Sequence, residues 1–109
     1  VPDLWIKYDS SHTYARNRGD NTYLEDLDKW LPRIAHMHIK GGCLINGRGI
    51  DDPPAGMDQL DWNTVFVLLY KHGYEGGLSI EPHSGVWTGE LGEKGIKFTV
   101  DFIRRYLFR

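Results

Sequence analysis

Ile34-Ala35-His36-Met37-His38-Ile39-Lys40 is the stretch on which the fold turns. Apolar Ile34, Ala35, Met37 and Ile39, alternating with polar residues from His36 onward, mark it as a strand. Its period of two places His36 and His38 on one face, about 7 Å apart at Cβ, and Ala35, Met37 and Ile39 on the other. Two similar runs lie on either side of it. Leu4 to Asp9 reads as a strand and Leu78 to Glu81 as a short one. Between and after them run helical patterns. Thr22 to Leu31 repeats Leu24, Leu27 and Leu31 at three- and four-residue steps, with Asp20 or Asn21 as cap and Pro32 as a stop. Asp61 caps a helix that ends at His72, with Val65, Phe66, Leu68 and Leu69 on its apolar face and Gly73 just past its end. Glu93 to Leu107 forms the last, with Ile96, Val100, Ile103 and Leu107 at helical spacing. Gly47 and Gly49 fall in what reads as a long loop, and Asp51 to Gly56 as loop as well. The order β-α-β-α-β-α predicts parallel strands, in a doubly wound sheet or part of a barrel. No Gly-x-Gly-x-x-Gly follows the first strand, which removes the main support for a dinucleotide fold.

Composition narrows the function. Of 109 residues, 40% are hydrophobic and 26% charged, which is globular and not disordered. The net charge of −2 offers no basic surplus for a phosphate backbone, so nucleic acid is not an expected partner. No apolar run reaches the roughly 20 residues of a bilayer span, and no membrane partner is expected. Cys43 is the single cysteine, which excludes an internal disulfide and a Cys-rich zinc site and makes a reducing cytoplasm the default.

Chemistry collects at the carboxyl ends of the three strands, where parallel α/β folds bind ligands: Asp9, His12, His38 and Glu81. Asp, His and Glu together suit a divalent metal. Each also has a plain structural use. Asp9-Ser10-Ser11-His12 is good turn chemistry, a strand histidine is commonly a hydrogen-bonded structural residue, and Glu81 before Pro82 can cap a turn. Their placement on three successive strand ends is what raises the functional reading. His38, nearer the strand end, is the better ligand, and His36 lies deeper. Lys40 shares the face of His38 and can steady an anionic oxygen or serve as a rim charge. Trp5, Trp30, Trp62 and Phe66 fit core packing, while Trp87 lies in a loop that can reach a pocket.

At these residues the chain resembles the xylose isomerase-like sugar isomerase/epimerase superfamily, metal-dependent (β/α)8 barrels. The matching stretches are residues 6–12, 34–40, 53–57 with 60–62, and 73–82, in the order of that family's C-terminal part. The resemblance implies an α/β fold in which residues 1–109 form the last three βα units of a TIM barrel, a fragment of a chain of about 250 residues. It implies one divalent ion (Mn, Mg, Co or Zn) with Asp9, His38 and Glu81 as three of its ligands, the fourth being a Glu outside this chain. It implies His12 as a substrate-binding histidine and Glu81 as a proton-moving carboxylate. The reaction implied is isomerisation or epimerisation of a sugar or polyol-like ketone through an enediolate, carried out by the complete barrel. The partners implied are a small sugar-like substrate and the remainder of the barrel, or a further copy covering the open sheet face. This chain departs from the family at Gly41, where many relatives carry Asp or Glu. It departs again at Leu44, where ketose epimerases carry an Arg (Arg48 is the nearest here), and at Asp58, where a Gly is frequent. Two rival readings follow: a non-catalytic, degenerate sugar-binding barrel, and an endonuclease-type barrel of the same superfamily. The second needs more ligands and a basic groove, against which five histidines and the net charge of −2 weigh.

Overall fold

A computed structural model describes residues 6–11, 14, 20–81 and 84–108. Strands β1 (Ile6–Asp9), β2 (Ile34–Ile39) and β5 (Gly77–Ile80) form one parallel sheet in that order. Helix α1 (Thr22–Trp30) connects β1 to β2, α2 (Trp62–Lys71) lies between β2 and β5, and α3 (Gly89–Arg104) follows β5. A 3-10 turn at Leu31–Arg33, holding Pro32, ends α1. This is the expected alternation of parallel strands and helices. The predicted strand residues Leu4 and Trp5 lie outside the described residues.

Local chemistry explains the boundaries. Asp20 Oδ1 accepts from the Thr22 amide at 2.9 Å, so Asp20 and not Asn21 serves the start of α1. Asp61 caps α2 by accepting from the Thr64 amide at 3.0 Å and from its hydroxyl at 2.6 Å. The far end of α2 closes on Gly73, whose φ of +61° is the left-handed conformation that glycine adopts freely. The Gly73 amide reaches the Tyr70 carbonyl and the Tyr74 amide reaches that of Leu69, which satisfies two of the last carbonyls of the helix.

The core lies between sheet and helices. Met37 and Ile39 of β2 are fully covered by Tyr23 and Leu27 of α1 and by Trp62, Val65, Phe66 and Leu69 of α2. Pairing of β1 with β2 skips Ala35, so Ile34 joins the same buried layer. Truncating Leu27 or Met37 to Ala would cost roughly 2–5 kcal/mol, the usual range for a close-packed site. The opposite face of β2 carries only half-buried residues, His36 and His38.

Three expectations need correction. The stretch read as loop contains an antiparallel hairpin, β3 (Cys43–Ile45) with β4 (Arg48–Asp51). Its turn is Asn46-Gly47, with φ of 51° and 75°, the two positive values that a tight two-residue turn demands. The strands are too short and too exposed to show an alternating pattern, so only that dipeptide betrays them. Helix α3 begins four residues earlier than predicted, at Gly89, and stops at Arg104. Its buried line is Gly95, Thr99 and Ile103, while Ile96 and Leu107 are exposed. Small residues win because Gly95 sits directly under Pro54 and the Trp87 ring, where a Cβ would come within 2.9 Å of both. Trp30, expected in the core, is 42% exposed, with the Lys29 ammonium 5.0 Å above its ring.

Candidate active site

Strand register builds the site. Asp9, the last residue of β1, is the pairing partner of His38 on β2, and His38 is the partner of Ser79 on β5. Lys40 and Glu81 each follow the end of a strand, and the Glu81 amide extends the ladder by donating to the Ile39 carbonyl at 3.1 Å. Asp9, His38, Lys40 and Glu81 thus meet at one end of the sheet. Two contacts divide them. Lys40 Nζ stands 3.3 Å from Asp9 Oδ2, its side chain only 16% exposed. His38 Nε2 stands 3.8 Å from Glu81 Oε1. Asp9 Oδ1 accepts from the Ser11 amide at 3.0 Å and from its hydroxyl at 2.8 Å, which fixes the carboxylate at the turn after β1. His12 lies outside the described residues.

Both histidines of β2 do share one face, with ring centroids 5.5 Å apart and planes at 79°. His36, the deeper, has its Nε2 2.8 Å from Ser79 Oγ. That hydroxyl in turn donates to Glu81 Oε1 at 3.4 Å. Ser79 carries no motif of its own in the sequence, although it precedes Glu81 by two and so shares its face.

Imidazole nitrogen and carboxylate oxygen are donors for a divalent cation, and 3.8 Å between His38 and Glu81 allows both to reach one ion at roughly 2.0–2.2 Å. Asp9 instead spends its oxygens on Ser11 and Lys40. Among the described residues no group of three or more His, Cys, Asp or Glu stands in a metal-holding arrangement.

The departures from the family pattern have physical reasons. A Cβ at Gly41 would collide with the Pro53 carbonyl, so no acidic side chain fits there. Leu44 belongs to β3 and Arg48 to the exposed start of β4. Asp58 is a knot in the loop before α2. It accepts from the Gly42 and Gly56 amides, both at 3.1 Å, and from Trp62 Nε1 at 2.9 Å. Burial pushes its carboxyl above the ordinary carboxylate value, and these hydrogen bonds pull it partly back. Gln59 next to it accepts from the Leu44 amide at 2.8 Å and donates to the Leu44 carbonyl at 3.0 Å, clamping the hairpin. Tyr14 donates its hydroxyl to the same Gln59 oxygen.

A parallel sheet flanked by helices, with Asp, His, Lys and Glu gathered at the carboxyl ends of its strands, fits part of a (β/α) barrel. The chain belongs to the xylose isomerase-like TIM barrel family, whose model matches residues 1–106. It is 29% identical over 120 residues to an inosose dehydratase of Yersinia enterocolitica, covering 96% of this chain and 38% of that protein. It is 30% identical over 91 residues to one of Bacillus licheniformis, covering 70% and 29%. An inosose dehydratase of Klebsiella pneumoniae matches at 29% over 93 residues, covering 72% and 31%. The chain therefore spans less than two-fifths of the length of these relatives. No helix among the described residues is long and apolar enough to cross a membrane.

Proposed function

We propose that this chain supplies the last three strand ends of an active site that removes the proton beside the ketone of a polyol or sugar-like substrate, and that the resulting enediolate then loses water. The observation that carries this reading is the in-register meeting of Asp9, His38 and Glu81 with Lys40 beside them. His38 and Glu81, with Asp9 next to them, would hold one divalent ion, which as a Lewis acid supplies stabilisation of negative charge on the substrate's oxygens. Glu81 takes the proton from the carbon next to the carbonyl. Lys40, held by Asp9, presents its ammonium to a substrate oxygen, and His12 binds another by likeness to the family. For dehydration, the hydroxyl one carbon further leaves as water with a proton from the site. The name of the relatives favours this outcome, since an inosose is a polyol ketone and a dehydratase removes water.

Isomerisation or epimerisation is a second reading, favoured by the family to which the chain belongs. It shares the first step and differs only in where the proton returns. Incubating the full-length protein in heavy water with an inosose, and separately with a ketose, divides the two. Dehydration yields a product lighter by one water. Isomerisation yields one of unchanged composition carrying solvent deuterium at carbon. Chelation should abolish turnover and Mn, Mg, Co or Zn should restore it. Turnover unchanged after exhaustive chelation overturns the role given to the ion.

A further inference from the structure

The inner face of the sheet carries more organisation than the ion and substrate require. Gly77 is the pairing partner of His36, and a Cβ there would stand 2.6 Å from His36 Nδ1. The imidazole therefore occupies the space that a side chain at position 77 would fill. In that place its Nε2 meets Ser79 Oγ at 2.8 Å, and Ser79 Oγ meets Glu81 Oε1 at 3.4 Å. A serine hydroxyl has one proton. A carboxylate can only accept, so the Ser79 proton goes to Glu81 and His36 Nε2 must donate to Ser79. The histidine is thereby fixed with its proton on Nε2.

We propose that Gly77, His36 and Ser79 form a positioning chain for Glu81: the glycine admits the ring, the ring orients the hydroxyl, and the hydroxyl holds Oε1 in the rotation from which the carboxylate works. This rests on the reading of Glu81 as the proton-moving group. The Ser79 hydroxyl places one directed hydrogen bond on Oε1, and His38 stands 3.8 Å from the same oxygen. Placement to within a fraction of an ångström is what proton transfer from carbon needs.

Steady-state kinetics on the full-length protein test the chain, with kcat and KM read separately. Ser79→Ala and His36→Leu should each lower kcat about tenfold with KM unchanged. The double variant should lose no more than either alone, because each cuts the same chain. Ser79→Thr, which keeps the hydroxyl, and His36→Gln, whose amide nitrogen takes the place of Nε2, should recover most of the rate. Gly77→Ala should imitate His36→Leu although it removes no polar group. Nitrogen chemical shifts of His36 should report the proton on Nε2. An unchanged kcat in Ser79→Ala overturns the proposal. So does a loss that the threonine variant shares, or a rise in KM at constant kcat. Glu81→Gln separates the two levels of the argument. If it keeps its rate, the reading of Glu81 fails. If it is inactive while Ser79→Ala is fully active, only the positioning chain fails.

Discussion

Asp58 shows how much a single side chain can decide. Its carboxylate joins the loop after β2, through Gly42, to the loop before α2, through Gly56 and Trp62. Asp58→Ala would leave four donors, the Gly42, Gly56 and Leu60 amides and Trp62 Nε1, without that acceptor and should cost about 3 kcal/mol of stability, read by chemical denaturation of the full-length protein. The pH dependence has a definite sign. Burial raises the folded-state pKa above the ordinary value of 3.8. The stability linked to this group is therefore complete below that value and lost as pH rises through the raised one. The gap between wild type and Asp58→Ala should accordingly be wider at mildly acid pH than at neutral pH, and a gap that grows toward neutrality would contradict the burial. At this scale the sequence is legible only where chemistry is tied to an element's end. Asp9, His38 and Glu81 announce themselves at strand ends. Asp58 and Gln59 do not, because each reaches a backbone group 15 or 16 residues away, Asp58 at Gly42 and Gln59 at Leu44 of β3.

Among the elements, periodicity succeeds where one face is buried. Strand β2 and helix α2 could be read because Met37 and Ile39, and Val65, Phe66 and Leu69, keep the spacing of a covered face. Helix α3 could not be placed so well, since glycine and threonine carry its contact and apolar residues such as Phe98 lie exposed. The hairpin escaped for a different reason: its order comes from a turn and a clamp. Gly47, at φ 75°, has no side chain to strain. Gly47→Val should cost about 1–2 kcal/mol, the usual penalty for a side chain in the left-handed region. Because the hairpin pairs with no other strand among the described residues, the loss should be local. Hydrogen exchange should quicken at Cys43–Ile45 and Arg48–Asp51 while the amides of β2 keep their protection. Equal acceleration in β2 would mean that the hairpin and the sheet unfold as one unit.

For the molecule as a whole, the sheet poses the remaining question. Among the described residues β1 and β5 are both edges, each with one neighbour. Among the described residues no helix layer covers the face bearing His36 and His38, which are only half-buried, while Leu91, Phe98 and Phe108 stand exposed along and beyond α3. A parallel sheet is ordinarily covered on both faces, and a barrel leaves no edge unpaired. Further βα units satisfy all three needs at once: strands for the edges, side-chain layers for the inner face, and helices beside α3. The order of elements in the sequence predicts the parallel strands but fits a doubly wound sheet as well as a barrel; the further units are what the family resemblance implies. What it could not convey is how the exposed apolar residues are shared between α3 and its neighbours. Prepared alone, residues 1–109 should associate with rising concentration in sedimentation experiments and bind a hydrophobic dye. The full-length protein should do neither at its inner sheet face. A 109-residue monomer that unfolds cooperatively and ignores the dye would mean that the inner face is stable in water, and the barrel would then be unnecessary to the fold of this part.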